Sequence, residues 1–127
     1  MAKIMTVDDS NFMRQLIKKM LEKAGYTNII EAESGPEALE KYKREKPDLV
    51  LLDIILGRDM SGIDTLRELK KMDPDVKVIM VTVLDQPQVE EEARGLGATH
   101  YVTKPIHEKE LIDAVTENLK HSKELGE

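Results

Sequence analysis

The stretch Asp48-Leu49-Val50-Leu51-Leu52-Asp53 decides the fold of this chain. Four consecutive apolar residues follow Lys46-Pro47 and run directly into a carboxylate. A short apolar run of this kind predicts a strand buried on both faces, as at the centre of a parallel sheet. Functional groups of open α/β sheets gather beyond the carboxyl ends of the strands, so Asp53 is a candidate site residue. The alternative is an aspartate that merely ends a strand and caps a turn.

Further strands are predicted on both sides of this stretch, at residues 3–7, 28–32, 76–81 and 98–102. Each strand is followed by apolar residues at helical spacing, which predicts an amphipathic helix after every strand. Alternating strands and helices indicate a parallel sheet covered by helices on both faces. The predicted fold class is therefore α/β, a flavodoxin-like (βα)5 doubly wound sheet with the strand order 2-1-3-4-5.

Length and composition indicate a single domain, residues 1–127, with a charged C-terminal tail from about residue 120. The 25 acidic and 19 basic side chains give a net charge of −6, which argues against binding to nucleic acid or to an anionic membrane surface. The absence of cysteine excludes disulfides and thiolate chemistry. No stretch resembles a membrane span or a signal peptide, so we expect a cytoplasmic protein. We also expect the protein to be a monomer.

Polar side chains follow four strands that are consecutive neighbours in the predicted order. They are Asp8 and Asp9 after the first strand, Asp53 after the third, Thr82 after the fourth and Lys104 after the fifth. Clustered carboxylates repel one another, and a hard cation such as Mg²⁺ offsets this repulsion. A lysine and a hydroxyl can bind phosphoryl oxygens. The set therefore predicts phosphoryl transfer onto a carboxylate, with Asp53 as the nucleophile.

These residues resemble the receiver domain of two-component response regulators, in particular single-domain receivers of the chemotaxis-regulator type. The matching positions, which span essentially the whole chain, are Asp8-Asp9, Asp53, Thr82, Tyr101 and Lys104-Pro105. The resemblance implies that Asp9 and Asp53 bind Mg²⁺ directly, together with the backbone carbonyl of Ile55, and that Asp8 acts mainly through a water. It also implies a cis bond before Pro105.

The resemblance further implies that the protein is a switch and not an enzyme. Such a switch catalyses only its own phosphoryl transfer and slow autodephosphorylation. The phosphodonor would be a histidine kinase or a histidine phosphotransfer protein. Phosphorylation of Asp53 would draw Thr82 towards the phosphoryl group and let Tyr101 turn inward. The surface of the fourth helix, fifth strand and fifth helix would then change its binding to a downstream protein, in chemotaxis or in a phosphorelay.

Two departures from the family pattern concern the surroundings of Asp53. Gly57 stands where many receivers have proline, and Gly62 comes nine residues after Asp53 rather than eight, so the intervening loop is one residue longer. The second departure is a set of three apolar residues that would flank the approach of water to the phosphoryl group: Ile55, Val83 and Leu84. Apolar side chains there predict slow dephosphorylation, although they could instead pack the longer loop.

Two other functions are possible on a similar fold. A haloacid-dehalogenase-like phosphatase also forms an aspartyl phosphate, but it needs a second aspartate two residues after its nucleophile. Ile55 follows Asp53 at that spacing, and Ser10 follows Asp8. A flavin carrier would require a phosphate-binding loop rich in Ser, Thr and Gly after the first strand, where this chain has the acidic segment 8–12.

Overall fold

The computed structural model describes residues 1–125, with side chains to residue 120, and this part contains five strands and five helices in strict alternation. They are β1 (Lys3–Val7), α1 (Asn11–Lys23), β2 (Asn28–Ala32), α2 (Gly35–Glu45), β3 (Leu49–Leu52), α3 (Gly62–Met72), β4 (Val78–Thr82), α4 (Pro87–Gly95), β5 (His100–Thr103) and α5 (Glu108–Leu125). α5 extends into the predicted charged tail, whose last residues, 126 and 127, lie outside the described residues. Within the described range, no helix has the length and apolar composition needed to cross a bilayer.

The five strands form one parallel sheet in the order β2-β1-β3-β4-β5, which confirms the predicted flavodoxin-like topology. The register pairs Val7 with Leu52, Leu52 with Met80 and Met80 with Tyr101. The carboxyl ends of β1, β3, β4 and β5 therefore lie at the same edge of the sheet. The polar residues predicted to cluster beyond these strand ends therefore share that edge: Asp8, Asp9, Asp53, Thr82 and Lys104.

Two strands begin later than predicted. β4 starts at Val78 rather than at Val76, because the N–H of Val76 donates to the carbonyl of Asp73 in a turn (3.0 Å) while its side chain is already buried. β5 covers His100–Thr103 rather than 98–102, because the N–H of Ala98 is still bonded to Ala93 at the end of α4 (3.0 Å). In both cases apolar residues contribute to the core from outside the strand.

β3 is buried on both faces, as the apolar run predicts, because its side chains alternate between two hydrophobic clusters. Leu49 and Leu51 pack with residues of α1 and α5, whereas Val50 and Leu52 pack with residues of α2, α3 and α4. Full burial of a leucine stabilises a protein by about 1.5–3 kcal/mol. The apolar content of β3 thus fixes the central strand, and with it the position of Asp53.

The loop between β3 and α3 accommodates its additional residue before Gly62. Gly57 adopts a left-handed conformation with φ of 90°. The N–H of Gly62 donates to the carbonyl of Ile54 (2.7 Å), and a Cβ atom at this position would collide with the backbone carbonyl of Asp53. A glycine is therefore required nine residues after Asp53, because α3 begins in contact with the end of β3.

We predict that Thr6→Val stabilises the protein. Among the described side chains, the Oγ1 atom of Thr6 on β1 is a fully buried polar atom without a hydrogen-bond partner. A buried polar group without a partner costs about 1–3 kcal/mol, so an isosteric methyl should raise the free energy of unfolding by roughly 1 kcal/mol. Urea unfolding measures this change.

The matched control is Thr65→Val, because the equally buried hydroxyl of Thr65 donates to the carbonyl of Ser61 (2.8 Å). This substitution should lower the free energy of unfolding. A loss of stability in Thr6→Val similar to that in Thr65→Val would contradict the prediction.

Candidate functional site

Asp53 follows β3 directly and is held by both its backbone and its side chain. Its N–H donates to the carbonyl of Val7 on β1 (3.0 Å), which continues the sheet by one residue. Its buried carboxylate accepts the N–H of Ile55 at Oδ1 (3.2 Å) and the ammonium of Lys104 at Oδ2 (2.8 Å). Asp53 thus caps a turn, as the alternative interpretation required, and it also carries a charged contact that turn formation does not need.

Lys104 joins the ends of three strands. Its Nζ atom lies 2.8 Å from Oδ2 of Asp53 and 2.8 Å from Oδ2 of Asp8, and its backbone N–H donates to the carbonyl of Thr82 (2.8 Å). The other carboxylate oxygen of Asp8 accepts the N–H of Ser10 (2.9 Å). Hydrogen bonds between charged groups are short and directional, so this arrangement holds the lysine between the two carboxylates.

Burial and charge act in opposite directions on these groups. Burial raises the pKa of Asp8 above its ordinary value of 3.8, although Lys104 and the N–H of Ser10 favour the ionised form. For Lys104, burial favours the neutral form, but the hydrogen bonds and charges of Asp53 and Asp8 outweigh it and raise the pKa of the ammonium group. Lys104 therefore remains a cation at neutral pH, next to the candidate acceptor.

The oxygen donors at this edge fit a Mg²⁺ site. Asp9 is exposed beside the buried Asp8, and Ile55 follows Asp53 by two residues. In the described part of the chain, no three acidic, histidine or cysteine side chains converge into a complete cation cage. Mg²⁺ does not need such a cage, because it is commonly bound by one or two carboxylates and retains several waters. The hard oxygen donors of this edge have that character.

Thr82 and Tyr101 are both linked to the backbone of Leu84. The fully buried Thr82 accepts the N–H of Leu84 at Oγ1 (3.4 Å), and the hydroxyl of Tyr101 donates to the carbonyl of Leu84 (2.6 Å). Tyr101 is buried, in the inward position that the resemblance associates with phosphorylation. The bond between Lys104 and Pro105 is cis.

The three apolar residues near Asp53 differ in exposure. Ile55 and Val83 are 48% and 57% exposed, whereas Leu84 is partly buried against the hydrophobic cluster on the side of α2, α3 and α4. Packing of the longer loop therefore does not account for Ile55 and Val83, which remain accessible at the edge that carries Asp53.

The sequence reasoning missed Arg14, whose guanidinium donates to the backbone carbonyl of Asp8 (2.7 Å) and to the carboxylate of Glu31 (2.8 Å). Arg14 and Lys18 are four residues apart on α1, and both contact Glu31. Two basic residues four positions apart lie on one helix face, and this spacing in the sequence could have indicated a shared acidic partner.

Comparison with known proteins identifies the family. The family model described as the response regulator receiver domain matches residues 4–116. The chain belongs to this family. The receiver domain is 39% identical over 113 residues to the chemotaxis protein CheY of Thermotoga maritima, and the aligned region covers 89% of this chain and 93% of that protein. It is 36% identical over 117 residues to the sporulation initiation phosphotransferase F of Bacillus subtilis, with 92% and 93% covered.

Solved structures agree with this assignment. A CheY-like receiver domain protein from Methanospirillum hungatei superimposes with a TM-score of 0.89 at 31% identity, covering 98% of each chain. A chain in the CheX–CheY–BeF3–Mg complex of Borrelia burgdorferi gives a TM-score of 0.87 at 29% identity, covering 91% of this chain and 87% of that one. Receiver domains of this type serve phosphorylation-dependent signalling and generally bind Mg²⁺. The family assignment gives no support to a dehalogenase-like phosphatase or a flavin carrier.

We predict that Asp8→Asn changes the pH dependence of stability. Because burial raises the pKa of Asp8 in the folded receiver domain, the folded state binds this proton more tightly than the unfolded chain. This contribution is fully present below the unfolded pKa and is lost as pH rises through the folded pKa. The free energy of unfolding of the parent minus that of Asp8→Asn should therefore fall as the pH rises above the ordinary value of 3.8 in metal-free buffer.

Urea unfolding at several pH values gives this difference. Asp59→Asn, at an exposed acidic residue of the loop before α3, controls for the removal of one negative charge. A difference between parent and Asp8→Asn that stays constant or rises with pH would contradict the prediction.

Proposed function

We propose that this receiver domain accepts a phosphoryl group on Asp53 and acts as a phosphorylation-dependent switch. The observation that carries the proposal is the position of Lys104, whose ammonium contacts Asp53 and Asp8 at the edge where four strands end. A carboxylate oxygen of Asp53 attacks the phosphorus of a phosphohistidine, and the P–N bond breaks. The electron pair of that bond returns to the imidazole nitrogen, which takes up a proton.

Each neighbouring group has a role in this transfer. Lys104 is already held beside Asp53 and can donate to an oxygen of the transferred group, which costs little reorganisation. The N–H of Ile55 orients Oδ1 of Asp53. Mg²⁺, when bound, would neutralise the charge on the phosphoryl oxygens. Its ligands would be Asp9, Asp53 and the backbone carbonyl of Ile55, with Asp8 acting through a water.

A protein is the expected phosphodonor, either a histidine kinase or a histidine phosphotransfer protein. Phe12, Ile55 and Val83 are 75%, 48% and 57% exposed, and each lies shortly after the carboxyl end of a strand at the edge that carries Asp53. Exposed apolar groups around an acidic centre favour contact with an apolar protein surface over capture of a small, hydrophilic donor.

The output of the switch is proposed to pass through Thr82 and Tyr101 to the surface formed by α4, β5 and α5. The backbone of Leu84 supports this coupling, because it receives a hydrogen bond from Tyr101 and donates one to Thr82. A movement of Thr82 towards a phosphoryl group would change the position of the carbonyl that holds Tyr101. A downstream protein that binds this surface can then distinguish the two states.

We predict that Asp53→Asn abolishes phosphorylation, because the amide lacks the nucleophilic carboxylate. The protein is incubated with acetyl phosphate and Mg²⁺, and the acyl phosphate is located by reductive trapping and mass spectrometry. Asp59→Asn, at an exposed acidic residue of the following loop, should be labelled as efficiently as the parent. Labelling of Asp53→Asn at the parent level would refute the assignment.

We also propose that the phosphorylated state is long-lived. Hydrolysis needs a water aligned with the bond between Asp53 and phosphorus. The side chains at positions 55 and 84 would flank its approach, and neither Ile55 nor Leu84 can hydrogen-bond to it. Val83 is exposed at the same edge and narrows the access further. The exposure of Ile55 supports the proposal, because this side chain is not buried in the core and can cover the approach of water to the acceptor.

Ile55→Asn and the double variant with Leu84→Glu should therefore accelerate decay of the phosphoryl group. A barrier lower by about 1.4 kcal/mol corresponds to a rate increase of roughly tenfold. Decay is followed after removal of the phosphodonor. Met72→Asn, at an exposed apolar residue at the end of α3, is the matched control and should decay like the parent. Parent decay within seconds, or unchanged rates in both variants, would contradict the proposal.

A further inference from the structure

The guanidinium group of Arg14 is held by three different partners. Nη1 donates to the backbone carbonyl of Asp8 (2.7 Å), Nε to Oε1 of Glu31 (2.8 Å) and Nη2 to Oδ1 of Asn11 (3.1 Å). The side chain is only 11% exposed. Arg14 thus connects α1 with the end of β1 and with β2. Each of the three guanidinium nitrogens donates a hydrogen bond, which fixes the orientation of the group.

The contact with Asp8 restricts the backbone that leads into Asp9. The N–H of Asp8 donates to the carbonyl of Ala32 on β2 (3.1 Å), while the carbonyl of Asp8 accepts from Arg14. That carbonyl belongs to the same planar peptide unit as the N–H of Asp9. Arg14 therefore restricts the direction in which the chain enters Asp9, which is exposed and follows the last residue of β1 by two positions.

Glu31 compensates the positive charge of Arg14. Its carboxylate also accepts hydrogen bonds from Gln15 (3.0 Å) and Lys18 (3.2 Å). Burial favours the protonated form of Glu31, but the hydrogen bonds from Arg14 and Lys18 outweigh it and lower its pKa. Arg14 can therefore lie beside an acidic site with much of its charge balanced by a carboxylate outside that site.

We propose that Arg14 is a positioning residue for the cation site, which it serves by fixing the peptide between Asp8 and Asp9. The inference rests on the proposed Mg²⁺ site and adds a residue that contacts no bound cation itself. The two possible roles of Arg14 predict opposite changes in Mg²⁺ affinity when the residue is replaced. If Arg14 acted only through its charge, its removal would reduce repulsion and strengthen Mg²⁺ binding. If it positions Asp9, its removal weakens Mg²⁺ binding.

The test is a titration of the parent and of Arg14→Met with Mg²⁺, followed by chemical shifts of backbone amides and without any phosphodonor. Loss of a group that orients a metal ligand typically weakens affinity on the order of tenfold, and we expect a loss of that size in Arg14→Met. Arg14→Lys keeps the charge but cannot reach Asp8 and Glu31 with the same fork, so it should be intermediate.

Lys18→Met is the matched control, because Lys18 lies on the same helix and contacts the same carboxylate of Glu31 but has no contact with the Asp8 carbonyl. Its Mg²⁺ affinity should equal or slightly exceed that of the parent. Glu31→Gln provides a second variant that retains Arg14 and weakens its anchor, and it should bind Mg²⁺ less tightly than Lys18→Met. Thermal unfolding establishes that each variant is folded at the titration temperature.

Equal or tighter Mg²⁺ binding by Arg14→Met overturns the inference, as does equal weakening in Arg14→Met and Lys18→Met. If Arg14→Met does not fold, a Glu31→Gln affinity equal to that of Lys18→Met overturns it instead. A parent protein that binds no Mg²⁺ contradicts the proposed cation site itself. A parent that binds Mg²⁺ while Arg14→Met binds it equally well contradicts only the role of Arg14.

Discussion

Lys104 Nζ lies 2.8 Å from a carboxylate oxygen of Asp8 and 2.8 Å from one of Asp53, and all three side chains are largely withdrawn from water. Burial of charged groups is costly, and their mutual attraction offsets this cost only with accurate geometry. That geometry depends on the register of three strands, because a shift by one residue would turn each side chain to the opposite face of the sheet. The two apolar clusters on either side of β3 fix this register, so the charged site depends on the packing of the core.

The burial of these charged side chains also destabilises the ionised form of Asp8. Burial keeps the pKa of Asp8 raised even with Lys104 in contact, which means that the ionised carboxylate is not fully compensated. Functional sites often contain such imperfectly stabilised groups, at a cost to overall stability. In the proposed switch, a bound cation or phosphoryl group would alter this local balance, and it would shift the conformational equilibrium only if it interacts differently with the two states.

Much of the fold could be predicted from the sequence, because the determining patterns are local. The apolar run of β3 and the alternation of strand and helix patterns can both be recognised within short windows of sequence. The late start of β4 was missed because Val76 contributes to the core from a turn, where burial and strand geometry separate. Arg14 was missed because Asp8 follows β1 and Glu31 lies on β2, and only the pairing of these two strands brings them together.

The contacts of Leu84 have a consequence for how the proposed switch could evolve. Both bonds that connect Thr82 to Tyr101 involve the main chain of Leu84, one through its N–H and one through its carbonyl. The side chain takes no part in either bond. In the proposed switch, a substitution at this position would therefore change the side chain near the acceptor while both main-chain hydrogen bonds remain in place. The proposed lifetime of the signal would then depend on the side chain of residue 84, and its proposed transmission on the main chain of the same residue.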